Sequence, residues 1–132
     1  MNWRLILQLS LFGLAMGLAT VFFVPASVEP AVWLVIFVIC AYVLAGARSG
    51  RPFLHGLCVG IANSVWISAA HMALADRYLA GHVREATILK SMPWPDAPRA
   101  MMAMTGPLIG VASGILIGLL ALLATRCVRR GS

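Results

Sequence analysis

Few side chains in this sequence are equipped for chemistry, and most of them crowd into one short stretch. His71, Asp76, His82 and Glu85 supply the imidazole and carboxylate groups that acid–base work or metal binding requires. His82 and Glu85 stand three residues apart, a spacing that lets them meet on one helical face. Close by, Met72, Met92, Met101, Met102 and Met104 form a thioether cluster whose soft donors, with His71 or His82, suit Cu(I). Neither set has the spacing of a built site. HExxH and CxxC patterns are absent, as are a glycine-rich phosphate loop, a GxSxG elbow and a carboxylate dyad. The first set is therefore expected to be ordinary polar side chains facing water and the second flexible packing, with neither metal nor cofactor bound. His71, Met72, His82, Met101 and Met104 would be the ligands to consider if a metal were bound. Cys40, Cys58 and Cys127 read as small apolar side chains rather than disulfide partners, being odd in number and mostly inside apolar stretches.

A second set of residues is chemical by its setting. Along the apolar stretch Phe53–Ala75, Gly56, Gly60, Ser64 and Ser68 recur every fourth residue, and helical geometry brings Asn63 and His71 onto the same arc. An amide in hydrocarbon needs partners, so this arc must face protein or an aqueous cavity rather than lipid. His71 lies eight residues beyond Asn63, about 12 Å along a helix axis, near one membrane boundary. His55 falls on another face near the opposite boundary, too far to share a ligand with it. Asn63, Ser64, Ser68 and His71, with Thr105 and Ser113 contributing from a later stretch, are the candidate lining of a solute path.

The elements that must hold these groups are membrane helices. Of 132 residues, 61% are apolar and 11% charged, and the mean hydropathy is +0.94. Four stretches approach the ~20 residues that cross ~30 Å of hydrocarbon: 5–24, 31–47, 53–75 and 104–125. The fold expected is a single all-α, four-helix transmembrane bundle with one sizeable extramembrane segment, residues 76–100. The first stretch is too long for a signal-peptide core and is expected to be retained. Gly106, Gly110, Gly114 and Gly118 make three consecutive GxxxG steps in the fourth stretch, and Ser10, Gly13, Gly17 and Thr20 make a small-residue seam in the first. With Gly56 and Gly60, these strips predict that stretches one, three and four pack together. Stretch two, bulky on every side, is expected at the periphery in extensive lipid contact. Surplus strips would drive self-association. Pro107 predicts a kink. In the long loop, the third helix is expected to run to Leu79-Ala80 and break at Gly81. A short helix is expected within His82–Met92, an extended Pro93-Trp94-Pro95, and Asp96 as N-cap of the fourth helix ahead of Pro98.

Charge orients the bundle. Arg4, Arg48, Arg51, Arg126, Arg129 and Arg130 would share one side, while all four acids of the chain lie on the other with Arg77, Arg84, Lys90 and Arg99. The positive-inside rule then puts both termini in the cytoplasm of a bacterial-type inner membrane. The net charge of +6 reads as an asymmetry facing anionic lipid, with no nucleic-acid partner implied. The stretches carry no Asp, Glu, Lys or Arg at their centres, which argues against an ion-coupled exporter. The leading expectation is a small transport or channel-like protein for a neutral or weakly charged solute, whose partners are the lipid bilayer and a second copy or another membrane protein. The alternative is a non-catalytic accessory subunit whose polar arc binds a partner helix or a lipid. A membrane-embedded enzyme or copper-binding protein ranks third.

Overall fold

The computed structural model describes residues 1–48 and 50–131; Ser49 and Ser132 lie outside the described residues. Four helices are long and apolar enough to cross a membrane: α1 (Trp3–Phe22), α2 (Glu29–Gly46), α3 (Pro52–Ala73) and α6 (Pro98–Arg130). Two short helices, α4 (Ala75–Gly81) and α5 (Val83–Lys90), fill the long connection, and no strand occurs among the described residues. The four long helices alternate up and down, so both chain termini lie at one end, termed the terminal end. The helices α4 and α5 lie at the other, the loop end.

Local signals explain most boundaries. The Asn2 side chain accepts a hydrogen bond from the Leu5 N–H at 3.1 Å and so caps α1. Pro52 and Pro98 open α3 and α6, where a missing N–H costs nothing. Two loop expectations are corrected. The cap of α6 is Ala97, without a side-chain bond, and Asp96 is exposed beside it. The Ala97 N–H bonds the Trp94 carbonyl at 3.1 Å, so the Pro93-Trp94-Pro95 segment closes into a turn rather than staying extended. The fourth helix also begins earlier and ends later than the apolar stretch, reaching Arg129 and Arg130, whose cations suit a helix C-terminus. It passes through Pro107 as one uninterrupted helix. The third helix stops at Ala73, and α4 resumes after the single turn at Leu74.

Packing is organised around α3, which lies between α1 and α6. On one side its small residues meet the glycines of α6. A Cβ on Gly60 would fall on the backbone of Gly114, one on Gly114 would meet the Leu57 carbonyl oxygen at 2.6 Å, and one on Gly118 the Phe53 carbonyl oxygen at 2.8 Å. Gly106 and Gly110 sit against the hydroxyls of Ser68 and Ser64. On its other side α3 meets α1, where a Cβ on Gly17 would lie 2.8 Å from Ala70 Cβ and one on Gly13 would strike the Asn63 backbone. Small residues thus bring backbones close enough for dispersion to hold helices that share an apolar solvent. Each of these glycine strips is occupied within the chain.

The second helix is peripheral but one-sided. Leu34, Val35, Val38, Ile39 and Tyr42 are exposed, whereas Ile36, Cys40, Ala41, Leu44 and Ala45 are buried, mainly against α6. Its uniform bulk conceals a face that the sequence pattern does not distinguish. With Ile6, Leu9, Met16, Val59, Ile117 and Ala121, the buried α2 residues Ile36, Cys40, Ala41 and Leu44 close the terminal half in one continuous core.

Exposure is inverted relative to a protein dissolved in water. Ser10, Thr20, His55, Asn63, Ser64 and His82 are buried, while Leu7, Leu11, Leu108, Ile109, Leu119 and Leu123 stand open on the surface. An apolar exterior this continuous matches a lipid solvent.

Candidate functional site

Toward the loop end α2 parts from α3 and α6, and the gap is a cavity of about 630 Å³. Its floor and one wall come from α3 through Gly60, Asn63, Ser64, Ser68 and His71. The facing wall is Trp33, Leu34 and Phe37 of α2, with Thr105, Ile109 and Ser113 of α6 beside it, and Tyr78 and Glu85 roof it from α4 and α5. A second hollow of about 560 Å³ continues past Glu29, Tyr78 and Glu85 to Ser27 and Arg84, so the roof is perforated. All six residues named as a candidate path lining, Asn63, Ser64, Ser68, His71, Thr105 and Ser113, line this cavity.

Their hydrogen bonds differ in what they leave free. Ser64 Oγ donates to the Ile61 carbonyl at 2.7 Å, and Thr105 Oγ1 to the Met101 carbonyl at 2.9 Å, so both hydroxyl protons are used within their own helices. Asn63 is 3% exposed. Its Oδ1 accepts from the Gly13 N–H at 2.7 Å, an interaction that fixes which end of the amide is oxygen. The other end, Nδ2, is buried with no partner. Trp66 Nε1 donates to Ser10 Oγ at 3.1 Å, adding a second polar tie between α1 and α3, on the face opposite α6.

Above the cavity the aromatic and ionisable groups form a column. The Tyr78 ring is stacked between His71, centroids 3.8 Å apart, and His82, centroids 4.2 Å apart. Thr20 Oγ1 lies 2.7 Å from His71 Nε2. The Thr20 hydroxyl proton already serves the Met16 carbonyl at 2.8 Å, so the imidazole is the donor. His82 is 3% exposed, and its Nδ1 lies 2.9 Å from the Tyr78 carbonyl oxygen, which can only accept. Nδ1 therefore carries the proton. Nε2 is left without a hydrogen-bond partner, 3.9 Å from Glu29 Oε2. Glu29 Oε1 accepts from Trp33 Nε1 at 3.3 Å, and Glu85 Oε2 is buried with no partner. Burial, followed by the Glu29 and Glu85 carboxylates, pushes the Tyr78 phenol far above its ordinary value, so it stays neutral.

Several candidates are separated by this arrangement. Asp76 is 94% exposed and faces Arg99 at 3.6 Å, outside the cavity. Its place is taken by Glu29, from the opposite loop. The Tyr78 ring stands between His71 and His82. Met72, Met92, Met101 and Met102 pack with Ala75, Tyr78 and Leu89 into a small apolar core, while Met104 turns outward at 54% exposure. Among the described residues no three His, Cys, Asp or Glu side chains converge as a metal would need. His55 lies far away at the terminal end, where Nε2 accepts from the Asn2 N–H at 2.9 Å.

Glu29, Trp33 and Tyr78 are cavity residues that sequence reasoning did not place there. The four-residue spacings of Glu29 to Trp33 and Tyr78 to His82 are visible in the sequence. The placing of α4 beside α1 and of α5 beside α6 is not. Comparison of the chain with protein-family models, curated proteins and solved structures finds no match.

Proposed function

We propose that this is an integral membrane protein of the bacterial inner-membrane type, with both termini cytoplasmic, that admits a small solute into the cavity between α2, α3 and α6 as a step in its transport. One observation carries the reading: Asn63 is a buried amide with an unspent donor, and it lines a large cavity inside a bundle whose exterior is apolar. A donor without a partner costs about 1–3 kcal/mol, which a solute or water in the cavity would offset. Sidedness follows the arginines, which gather at the terminal end and leave the perforated roof facing outward. The terminal half is filled by the core from Ile6 to Ala121. The arrangement fits the outward-open form of a carrier better than a continuous pore. Passage inward would need α2 to shift against α6.

The test replaces Asn63 by Cys in a full-length chain whose three native cysteines are changed to Ala, and adds a small membrane-impermeant thiol reagent from the outer side. Asn63→Cys should react at a rate comparable to a loop cysteine, while a Cys at buried Ser10, outside the cavity, should stay unmodified. Protection of Asn63→Cys would overturn the reading. The accessory-subunit alternative draws on a different observation: Leu34, Ile109 and Leu116, exposed at 57%, 61% and 42%, edge the cavity on its α2–α6 side. A partner helix or acyl chain lying there would make the same cysteine unreactive and would survive purification with the protein.

A further inference from the structure

The lining of the main cavity carries two carboxylates, Glu29 and Glu85, and, among the described residues, no Lys or Arg. Behind that lining, His82 Nε2 lies 3.9 Å from Glu29 Oε2, too far for a hydrogen bond. Glu85 Oε2 is buried and unpartnered, and Glu85 lines the same cavity as Glu29. Anions withdrawn from water need a countercharge. Arg84, exposed at the rim, makes no ion pair with either glutamate, and the other cations of this end are engaged elsewhere or lie outside the cavity lining. Arg77 covers the Phe22 ring at 4.5 Å, and Arg99 serves Asp76 and the Met72 carbonyl. The Trp33 ring borders the same space and favours a cation over a neutral group. At the floor, by contrast, the free atom is the Asn63 Nδ2 donor.

Resting on the solute-binding reading above, we infer that the solute is a primary amine with an apolar body and a hydrogen-bond acceptor at its far end. An alkylammonium has three N–H donors, whose hydrogen bonds the Glu29 and Glu85 carboxylates of the lining can accept. Its apolar body lies along Phe37, Ile67 and Ile109, and its distal carbonyl, ether or sulfonyl oxygen takes the Asn63 proton. This charge requirement is more specific than the neutral or weakly charged solute expected from the helices alone.

The experiment uses the full chain in nanodiscs of zwitterionic phosphatidylcholine. Its probe is monodansylcadaverine, a primary amine joined by a pentyl arm to a fluorescent sulfonamide. The N-acetylated form of the same molecule, which keeps the body and loses the charge, is the control, and empty nanodiscs correct for partitioning. Saturable binding is expected to be at least about tenfold tighter for the amine than for its acetyl form. Glu29→Gln and Glu85→Gln should each erase most of that difference while leaving the acetyl form unaffected. Equal binding of the two probes, or indifference to both Gln variants, would overturn the amine assignment and leave the cavity reading intact. If neither probe binds, the amine assignment is again overturned. The Asn63→Cys reaction then decides the cavity reading separately: labelling keeps it, and protection removes it too.

Discussion

In the terminal half of the bundle, Gly60 and Gly114 hold α3 against α6 so closely that one added methyl would strike backbone. Gly60 also closes the floor of a cavity of about 630 Å³, which Asn63, Ser64 and Ser68 of the same helix line beyond it. The terminal half buries Ile6, Cys40, Leu44, Val59 and Ile117 at 2% exposure or less, with no orphaned polar side-chain atom. The loop half holds all three of the buried polar side-chain atoms without partners found among the described residues: Asn63 Nδ2, His82 Nε2 and Glu85 Oε2. A bundle that needed only stability would have no use for the second pattern, since each orphan costs free energy that an apolar side chain would not. Close packing at one end supplies the rigidity against which unsatisfied groups at the other can be held.

The largest effect should come from forcing the tight half apart. Gly60→Val and Gly114→Val place side-chain volume where the facing atoms are backbone, so nothing can rotate away. The loss should reach or exceed the ~1–3 kcal/mol of an overpacked core and should prevent isolation of a monodisperse protein. Gly46→Ala and Gly81→Ala meet no atom within 4 Å and should melt like the wild type. Thermal melting of the four variants in detergent, followed by size-exclusion profile, makes the comparison. Wild-type melting of the Gly60 and Gly114 variants would dissolve the distinction between the two halves.

The sequence discloses these halves unequally, for physical reasons. Glycine and serine at every fourth position identify interhelical strips because only small residues permit close backbone approach, and the pairing of Gly56 and Gly60 with Gly114 and Gly118 follows the helical repeat. Polar residues on an apolar helix are equally visible, which is why Asn63, Ser68 and His71 stand out before any coordinates. Hidden are contacts made by loops. Glu29 looks like an ordinary loop acid, and Asp76 looks as suited to the cavity as Glu85. Only the break at Leu74, which turns α4 towards α1 and α5 towards α6, sends Asp76 to the surface and Tyr78 into the roof. The buried stripe of α2 is hidden too, because Ile36, Cys40 and Leu44 resemble their exposed neighbours in hydropathy.

A smaller change sharpens the comparison by separating stability from use. Asn63→Leu removes the bond to the Gly13 N–H together with the orphaned donor, two effects of opposite sign. Cross-helix polar contacts in membranes average ~0.6 kcal/mol, so the net shift in stability should stay within ~1 kcal/mol. Solute binding, measured with the dansyl amine, should fall severalfold in the same preparation. A variant that lost stability as the glycine variants do would make Asn63 a structural tie rather than a receptor for solute.

The smallest effect concerns how the roof is fastened. Arg99 Nε donates to the Met72 carbonyl at 2.9 Å and so joins the first turn of α6 to the last turn of α3, while its guanidinium faces Asp76 at 3.6 Å. The carboxylate is 94% exposed, so water and salt screen the pair, and Asp76→Asn should leave stability unchanged. Arg99→Gln loses the bond to a helix-terminal carbonyl and should cost no more than about 1 kcal/mol globally. Its signature is local: amide hydrogens of α4 and α5 should exchange faster, while those of α3 between Gly56 and Asn63 keep their wild-type protection. Faster exchange throughout α3 would mean that the loop end supports the packed end. The direction of dependence between the two halves would then be reversed.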